Sequence, residues 1–167
     1  MKQKTLYLLR HGEANPLDHK GDLERSLTNV GKDQLNLLTT SLLKQCLSWD
    51  LVICSHAQRA RQSLLILEHL SPKAETIFEK KLYNVSFENV LDIVKKVNNK
   101  INSILIVGHN PCLRNLTLTL AIDGSQNYKK ISKRLPPGGF VSLKVQVSSW
   151  SDIQAQTAYI DECFFPE

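Results

Sequence analysis

The chain has 167 residues, 42% of them hydrophobic and 22% charged, a composition that suits a folded domain able to bury a core without metal or disulfide staples. Its net charge is +5 and its pI near 9.0, with bases dispersed as Lys80-Lys81, Lys95-Lys96, Lys129-Lys130 and Lys133-Arg134, so no nucleic acid is expected as a partner, and the bases read as a solvated surface or as an attraction for acidic or phosphorylated partners. Cys46, Cys54, Cys112 and Cys163 form no Cys-x-x-Cys pair, which argues against a zinc knuckle and a disulfide framework alike.

The first apolar run, Thr5 to Leu9, predicts a buried strand. Stopped by Arg10-His11, it is too short for a secretory core or a membrane span, so a cytoplasmic protein with no membrane contact is expected. Residues 12–27 are polar, with Pro16 and Gly21, and predict a loop over the strand end. Thr28 reads as the cap of a helix to about Cys46, with Val30, Leu35, Leu37, Leu38, Leu42 and Leu43 on its apolar stripe. Leu51 to Cys54 predicts the next strand, and Ser55 the cap of a helix to about Leu70 that turns Ala60, Leu64, Ile66 and Leu67 inward. A short strand over 74–78, a helix over 86–97 and a very apolar strand over 104–107 follow. Pro111 suits the first turn of a helix reaching Asp123-Gly124. Residues 140–147 alternate, and 153–160 do so less cleanly, around a polar turn at 148–152, which predicts an antiparallel hairpin at the sheet edge. The alternation of strands with helices predicts the α/β class: a three-layer α/β/α arrangement with a mostly parallel central sheet and an antiparallel C-terminal edge hairpin, in a single domain over 1–167.

Three segments that follow apolar runs carry the chemistry: Arg10-His11-Gly12-Glu13, Ser55-His56-Ala57-Gln58-Arg59-Ala60 and Val107-Gly108-His109-Asn110-Pro111. In an open α/β sheet, ligands gather outside the carboxyl ends of the strands. Attack on a phosphoryl group needs a nucleophile, donors for three equatorial oxygens and compensation of the charge spread over them. A neutral imidazole at His11 is a candidate nucleophile, and Arg10, Arg59 and His109 are candidate partners for the oxygens. Helix starts after Ser55 and Pro111 would add N–H donors. A helix start beside Cys112 also lowers a thiol pKa, but an idle thiol is the preferred reading there.

Leu8-Leu9-Arg10-His11-Gly12-Glu13-Ala14, Leu27-Thr28-Asn29-Val30-Gly31, Arg59-Ala60-Arg61-Gln62-Ser63 and Leu105-Ile106-Val107-Gly108-His109-Asn110-Pro111 occur in one order along the chain. With Gly138-Gly139-Phe140 before the late strand, the sequence resembles the histidine phosphatase superfamily, the phosphoglycerate mutase-like fold, and within it the short SixA-type phosphohistidine phosphatases. That resemblance implies that His11 becomes transiently phosphorylated and that Arg10, Arg59 and His109 form the phosphate pocket. It implies no cofactor and no metal. Arg25 matches an arginine that precedes the Leu-Thr-x-x-Gly element in such proteins, and reads equally well as a phosphate-site residue or a solvated loop charge.

The sequence departs from the family pattern in places. His56 stands where a proline usually follows the serine, and reads as structural or solvated rather than catalytic. Leu17 stands where the mutases carry an asparagine, for which Asn15 is a possible substitute. The general acid of larger members has no counterpart in Lys81-Leu82-Tyr83-Asn84-Val85, with Glu79 and Glu88 only flanking it. Glu13, Asp18, Asp22 and Glu24 lie in the first loop and could reach the site, though loop carboxylates are usually just solvated. An alkoxide leaving group needs a proton, whereas imidazole, with a conjugate-acid pKa of about 6.5, leaves readily. The expected substrate is therefore a phosphorylated histidine-containing protein of signalling or phosphotransfer. A small phosphoester is the alternative substrate, a non-catalytic phosphoprotein-binding module the further alternative, and mutase activity is disfavoured.

Overall fold

A computed structural model describes residues 3–122 and 124–166. Its centre is one six-stranded sheet built from β1 (Lys4–Arg10), β2 (Leu51–Ser55), β3 (Glu75–Glu79), β4 (Ser103–Gly108), β5 (Phe140–Val145) and β6 (Ala158–Phe164), in the order β3-β2-β4-β1-β5-β6. The first four strands run parallel, whereas β5 is antiparallel to β1 and β6 to β5. The mostly parallel centre and the antiparallel C-terminal edge are thus as the sequence predicts. The register sets Arg10 opposite Gly108 and Cys54 opposite Val107, so β1, β2 and β4 end level with one another.

Strand side chains alternate between two cores, as the two-residue period requires. Leu6, Leu8, Ile53, Ile104 and Ile106 face one core with α3 (Phe87–Lys95), α4 (Cys112–Leu120) and α5 (Gln126–Lys133). Tyr7, Leu9, Val52, Leu105 and Val107 face the other with α1 (Asn29–Lys44) and α2 (Gln58–Leu67). Covering a parallel sheet on both faces is what makes its strands near-continuous apolar runs.

Thr28 caps α1, its Oγ1 accepting from the Gly31 amide at 3.0 Å. Leu35, Leu38 and Leu42 are buried, but Val30, Leu37 and Leu43 are more than half exposed, because the helix packs on the sheet by one side only. The predicted cap at Ser55 is corrected: Ser55 is the last residue of β2, and α2 begins three residues later with Ala57 in the cap position and no side-chain cap bond. Ala60, Leu64 and Leu67 are buried as expected, while Ile66 is half-buried. Helix α5 has no counterpart in the sequence prediction. Its one buried side chain is Ile131, so no apolar period marks it, and Ser125, which accepts from the Tyr128 amide at 2.9 Å, is its only start signal.

Close backbone approach seats the first loop on α1. A Cβ on Gly12 would lie 2.7 Å from the Gly31 carbonyl oxygen, and a Cβ on Gly31 would overlap the backbone of Glu13. Replacing Gly31 by alanine should cost about 1–3 kcal/mol. Urea unfolding of Gly31→Ala checks this, and unchanged stability contradicts it.

Candidate active site

His11 directly follows β1 and His109 directly follows β4, so the parallel pairing of these strands sets the two rings together at a centroid distance of 5.1 Å. Arg59, one residue into α2, reaches both. Its Nε donates to His11 Nε2 at 3.2 Å, and its Nη2 lies 3.5 Å from His109 Nδ1. His11 and Arg59 are buried, and so is His109.

The hydrogen bonds assign the His11 tautomer. Nδ1 lies 2.7 Å from the Gly12 carbonyl oxygen, which only accepts, and Nε2 receives the Arg59 N–H, which only donates. The proton therefore sits on Nδ1 and the lone pair on Nε2. Burial pushes the His11 pKa down to about 3; the Gly12 carbonyl opposes this, and His109, Arg59 and Arg10 add to it. Desolvation therefore outweighs the nearby guanidiniums in keeping this imidazole neutral. His109 is held down to about 4, again chiefly by burial and then by Arg59, and its Nε2 lies 2.8 Å from Ser55 Oγ. The serine is thus placed by β2 to orient an imidazole.

Arg10 donates from Nη1 to the Leu135 carbonyl at 2.8 Å, and Asn110 Nδ2 donates to the same oxygen at 2.8 Å. Arg10 Nε is buried without a hydrogen-bond partner among the described residues. Loss of solvent lowers the Arg10 pKa. A guanidinium with an unused buried N–H is poised to take a further acceptor.

Of the four loop carboxylates weighed from the sequence, Asp22 is the one joined to this cluster. Its Oδ2 accepts from Arg59 Nη2 at 3.0 Å and from the Tyr83 hydroxyl at 2.6 Å, its Oδ1 from Arg25 Nη1 at 2.9 Å, and its carbonyl from Arg59 Nη1 at 2.6 Å. Tyr83, then Arg25 and Arg59, hold its pKa well below the usual carboxylate range, against the effect of burial. The same contact raises the Tyr83 pKa. Glu13 instead accepts from Thr28 Oγ1, Asp18 from the Lys20 amide, and Glu24 is exposed. Arg25 is joined to the cluster through Asp22, and its Nε is fixed on the Asn15 carbonyl at 2.5 Å. Asn15 Nδ2 bonds Ser26, which makes it a loop brace rather than a substitute in the pocket.

Tyr83 was not singled out in the sequence. It follows a single 3₁₀ turn, Lys80–Leu82, and stands where larger relatives were expected to carry an acid. Its ring lies edge-on to His109 at 5.6 Å and to His56 at 5.8 Å, so His56 borders the cluster. Ser63 was quoted only as part of a motif. One turn after Arg59, its Oγ accepts from the Gly12 amide at 3.1 Å and donates to the Arg59 carbonyl at 2.6 Å, tying the helix that carries the guanidinium to the loop after His11. Burial pushes the Cys112 thiol up to about 11, which leaves it inert. Among the described residues, no group of three His, Cys, Asp or Glu side chains has the arrangement of a metal site, and no helix is long and apolar enough to cross a membrane.

Residues 6–100 match the family model of the histidine phosphatase superfamily, branch 1. The chain belongs to this superfamily. Its fold is similar to that of SixA from Nakamurella multipartitia (TM-score 0.86, 24% identity, 99% of this chain and 98% of that one) and of SixA from Agrobacterium tumefaciens (TM-score 0.80, 20% identity, 98% of each). A phosphoglycerate mutase from Plasmodium falciparum shares the fold more distantly, with a TM-score of 0.65 at 15% identity over 97% of this chain and 91% of that one. An uncharacterised protein of Mycobacterium tuberculosis is 29% identical over 149 residues, 87% of this chain and 92% of its own length.

The two depressed imidazoles make stability depend on pH with a definite sign. Each histidine binds a proton more readily unfolded, near pH 6.5, than folded, near about 3 for His11 and about 4 for His109. Their contribution is complete above about pH 6.5 and is lost as pH falls toward those folded values. The unfolding free energy should therefore fall between about pH 7 and 5, and less so in His11→Asn. Urea denaturation across that range checks this, and a flat profile contradicts it.

Proposed function

We propose that this chain is a phosphatase that works through a phosphohistidine intermediate on His11 and that its substrate is phosphohistidine on a signalling or phosphotransfer protein. The observation that carries the reading is the fixed tautomer of His11, with Nδ1–H on the Gly12 carbonyl and the Nε2 lone pair against Arg59. Nε2 attacks phosphorus as the bond from phosphorus to the substrate imidazole breaks; the departing nitrogen keeps the electron pair, and a proton carried by the other ring nitrogen of the substrate lets it leave as neutral imidazole. Arg59 Nε–H then transfers its hydrogen bond from Nε2 to a phosphoryl oxygen. Arg10, with its unused N–H, completes the pocket around another oxygen, and His109, its Nε2 engaged by Ser55 Oγ, borders the pocket beside Arg59. Water attacks phospho-His11 in the second half, and inorganic phosphate leaves.

The ionisation of Asp22 supports the substrate class. A carboxylate held by Tyr83, Arg25 and Arg59 stays charged at neutral pH and has no proton to donate. An alkoxide would leave poorly from such a site, whereas imidazole needs little help. Asp22 and Arg25 act on this reading as positioning residues for Arg59. Among the fold relatives is the protein histidine phosphatase SixA, determined in complex with tungstate, a tetrahedral oxyanion like phosphate. A cytoplasmic setting is part of the same proposal.

Replacing His11 by alanine should lower turnover of a phosphohistidine peptide by about 10⁴-fold or more, and Arg59→Ala by about 10²- to 10³-fold. Quenched wild-type protein should carry acid-labile phosphate on His11. Full turnover by His11→Ala overturns the mechanism. Faster hydrolysis of p-nitrophenyl phosphate or sugar phosphates than of phosphohistidine peptides moves the substrate to small phosphoesters. Tight phosphohistidine binding without phosphate release makes the chain a binding module.

A further inference from the structure

Helix α5 and the end of β6 enclose a depression of about 620 Å³ whose walls carry Lys129, Lys130, Lys133 and Arg134, with Phe165 at one side. No acidic side chain is among those lining it. All four cations are exposed, and among the described residues none is paired with a carboxylate. Lys130 Nζ stands 4.3 Å over the Phe165 ring centroid, which fixes one charge at the wall. The negative end of the α5 dipole accounts for a cation or two in its last turn. Four on one depression exceed that need, and their mutual repulsion is a cost that an opposite charge would remove.

The depression is fastened to the candidate active site. Leu135, the residue after Arg134, is buried, and its carbonyl accepts from both Arg10 and Asn110. Gly138, a little further on, donates its amide to the His11 carbonyl at 2.9 Å. The Arg114 guanidinium of α4 bonds the carbonyls of Ile131 and Ser132, locking the last turn of α5 to the helix that follows His109. The basic wall and the phosphoryl pocket are thus parts of one rigid frame.

We infer that this surface docks the acidic face of the protein that carries the phosphoryl group, an inference that rests on the phosphoprotein substrate proposed above. A phosphohistidine side chain offers little area for recognition, and a field of one sign beside the pocket raises the encounter rate and selects partners of the opposite sign. The effect reaches about 8 Å at physiological salt, so the acidic residues of the partner must lie close to this wall.

The test uses two peptides of equal length with one central phosphohistidine each, one flanked by Asp and Glu and the other by Asn and Gln. Wild-type protein should favour the acidic peptide by about tenfold in kcat/KM, through KM, and should lose that preference at high salt. The triple variant Lys129→Glu, Lys133→Glu, Arg134→Glu should lose it at low salt as well, while hydrolysing free phosphohistidine as the wild type does. Fluorescence anisotropy with unphosphorylated peptides reads the surface without catalysis, and only the acidic peptide should bind, and only to the wild type. Lys129→Glu alone, on the exposed wall, serves if the triple variant loses its circular dichroism signature. Equal binding and reaction of the two peptides overturns the inference, as does a variant that slows free phosphohistidine as much as the acidic peptide. A duplex oligonucleotide that displaces the acidic peptide and is itself lost in the variant reassigns the surface to nucleic acid. Binding of the acidic peptide through these side chains with no hydrolysis of either phosphopeptide keeps the docking surface and removes the catalytic reading. The reverse pair of results does the opposite.

Discussion

The arrangement depends on keeping one imidazole neutral and in one tautomer among cations. His11 achieves this by burial first, with its proton pinned on Nδ1 by the Gly12 carbonyl. Each neighbouring element serves that constraint. The end of β1 delivers the ring, parallel pairing with β4 brings His109 beside it, and α2 delivers the guanidinium that faces Nε2. The Gly12 carbonyl can be held there because Gly31 permits the loop to lie against α1 and Ser63 takes the Gly12 amide. A larger residue at either glycine, or a loss at Ser63, would shift the carbonyl that fixes the tautomer, so the sheet, the loop and two helices converge on the position of one proton.

Asp22 is the electrostatic counterpart of that constraint. Arg59 is buried and would otherwise carry an uncompensated charge, which is costly in a low-dielectric site. The carboxylate offsets it, and Tyr83 and Arg25 keep the carboxylate ionised and in place. The loop that bears Asp22 is held in turn by Arg25 on Asn15 and by the Leu27 amide on Gln62 of α2. Charge balance, rather than apolar burial, folds this loop over the strand ends.

Much of this was legible in the sequence, for identifiable reasons. Parallel strands buried on both faces are continuous apolar runs, so β1, β2 and β4 stand out, and the residues after them must meet at one sheet edge. That places Arg10, His11, Arg59 and His109 together without any tertiary information. Helix α5 was illegible because its apolar face is only Tyr128 and Ile131, one turn apart, too short a stripe to mark a helix. The part played by Ser55 was misread because a serine ahead of a helix has the look of a cap, and only the β2 to β4 register shows that its hydroxyl meets His109. Asp22 could be named only as one of four loop carboxylates, and Tyr83 was not singled out, for a different reason: one lies in a long loop and the other after a single 3₁₀ turn, and their meeting depends on non-local charge pairing that leaves no period in the chain.

The ionisation states of the cluster bear jointly on the reaction it suits. Two neutral imidazoles, two guanidiniums directed at or bordering them, and one carboxylate locked in its charged form make a site with donors for an oxyanion and a lone pair for phosphorus. No carboxylic acid is held protonated there to follow a leaving oxygen. Catalysis rewards interactions that strengthen in the transition state, and on the mechanism proposed above those are the contacts to equatorial oxygens rather than a proton transfer. On the same proposal, Asp22, by partly neutralising Arg59, limits how tightly the pocket would grip a dianion. On the function proposed above, a pocket so balanced is matched to a substrate with an intrinsically good leaving group, and the selection of that substrate then falls to the surface around the pocket rather than to its walls.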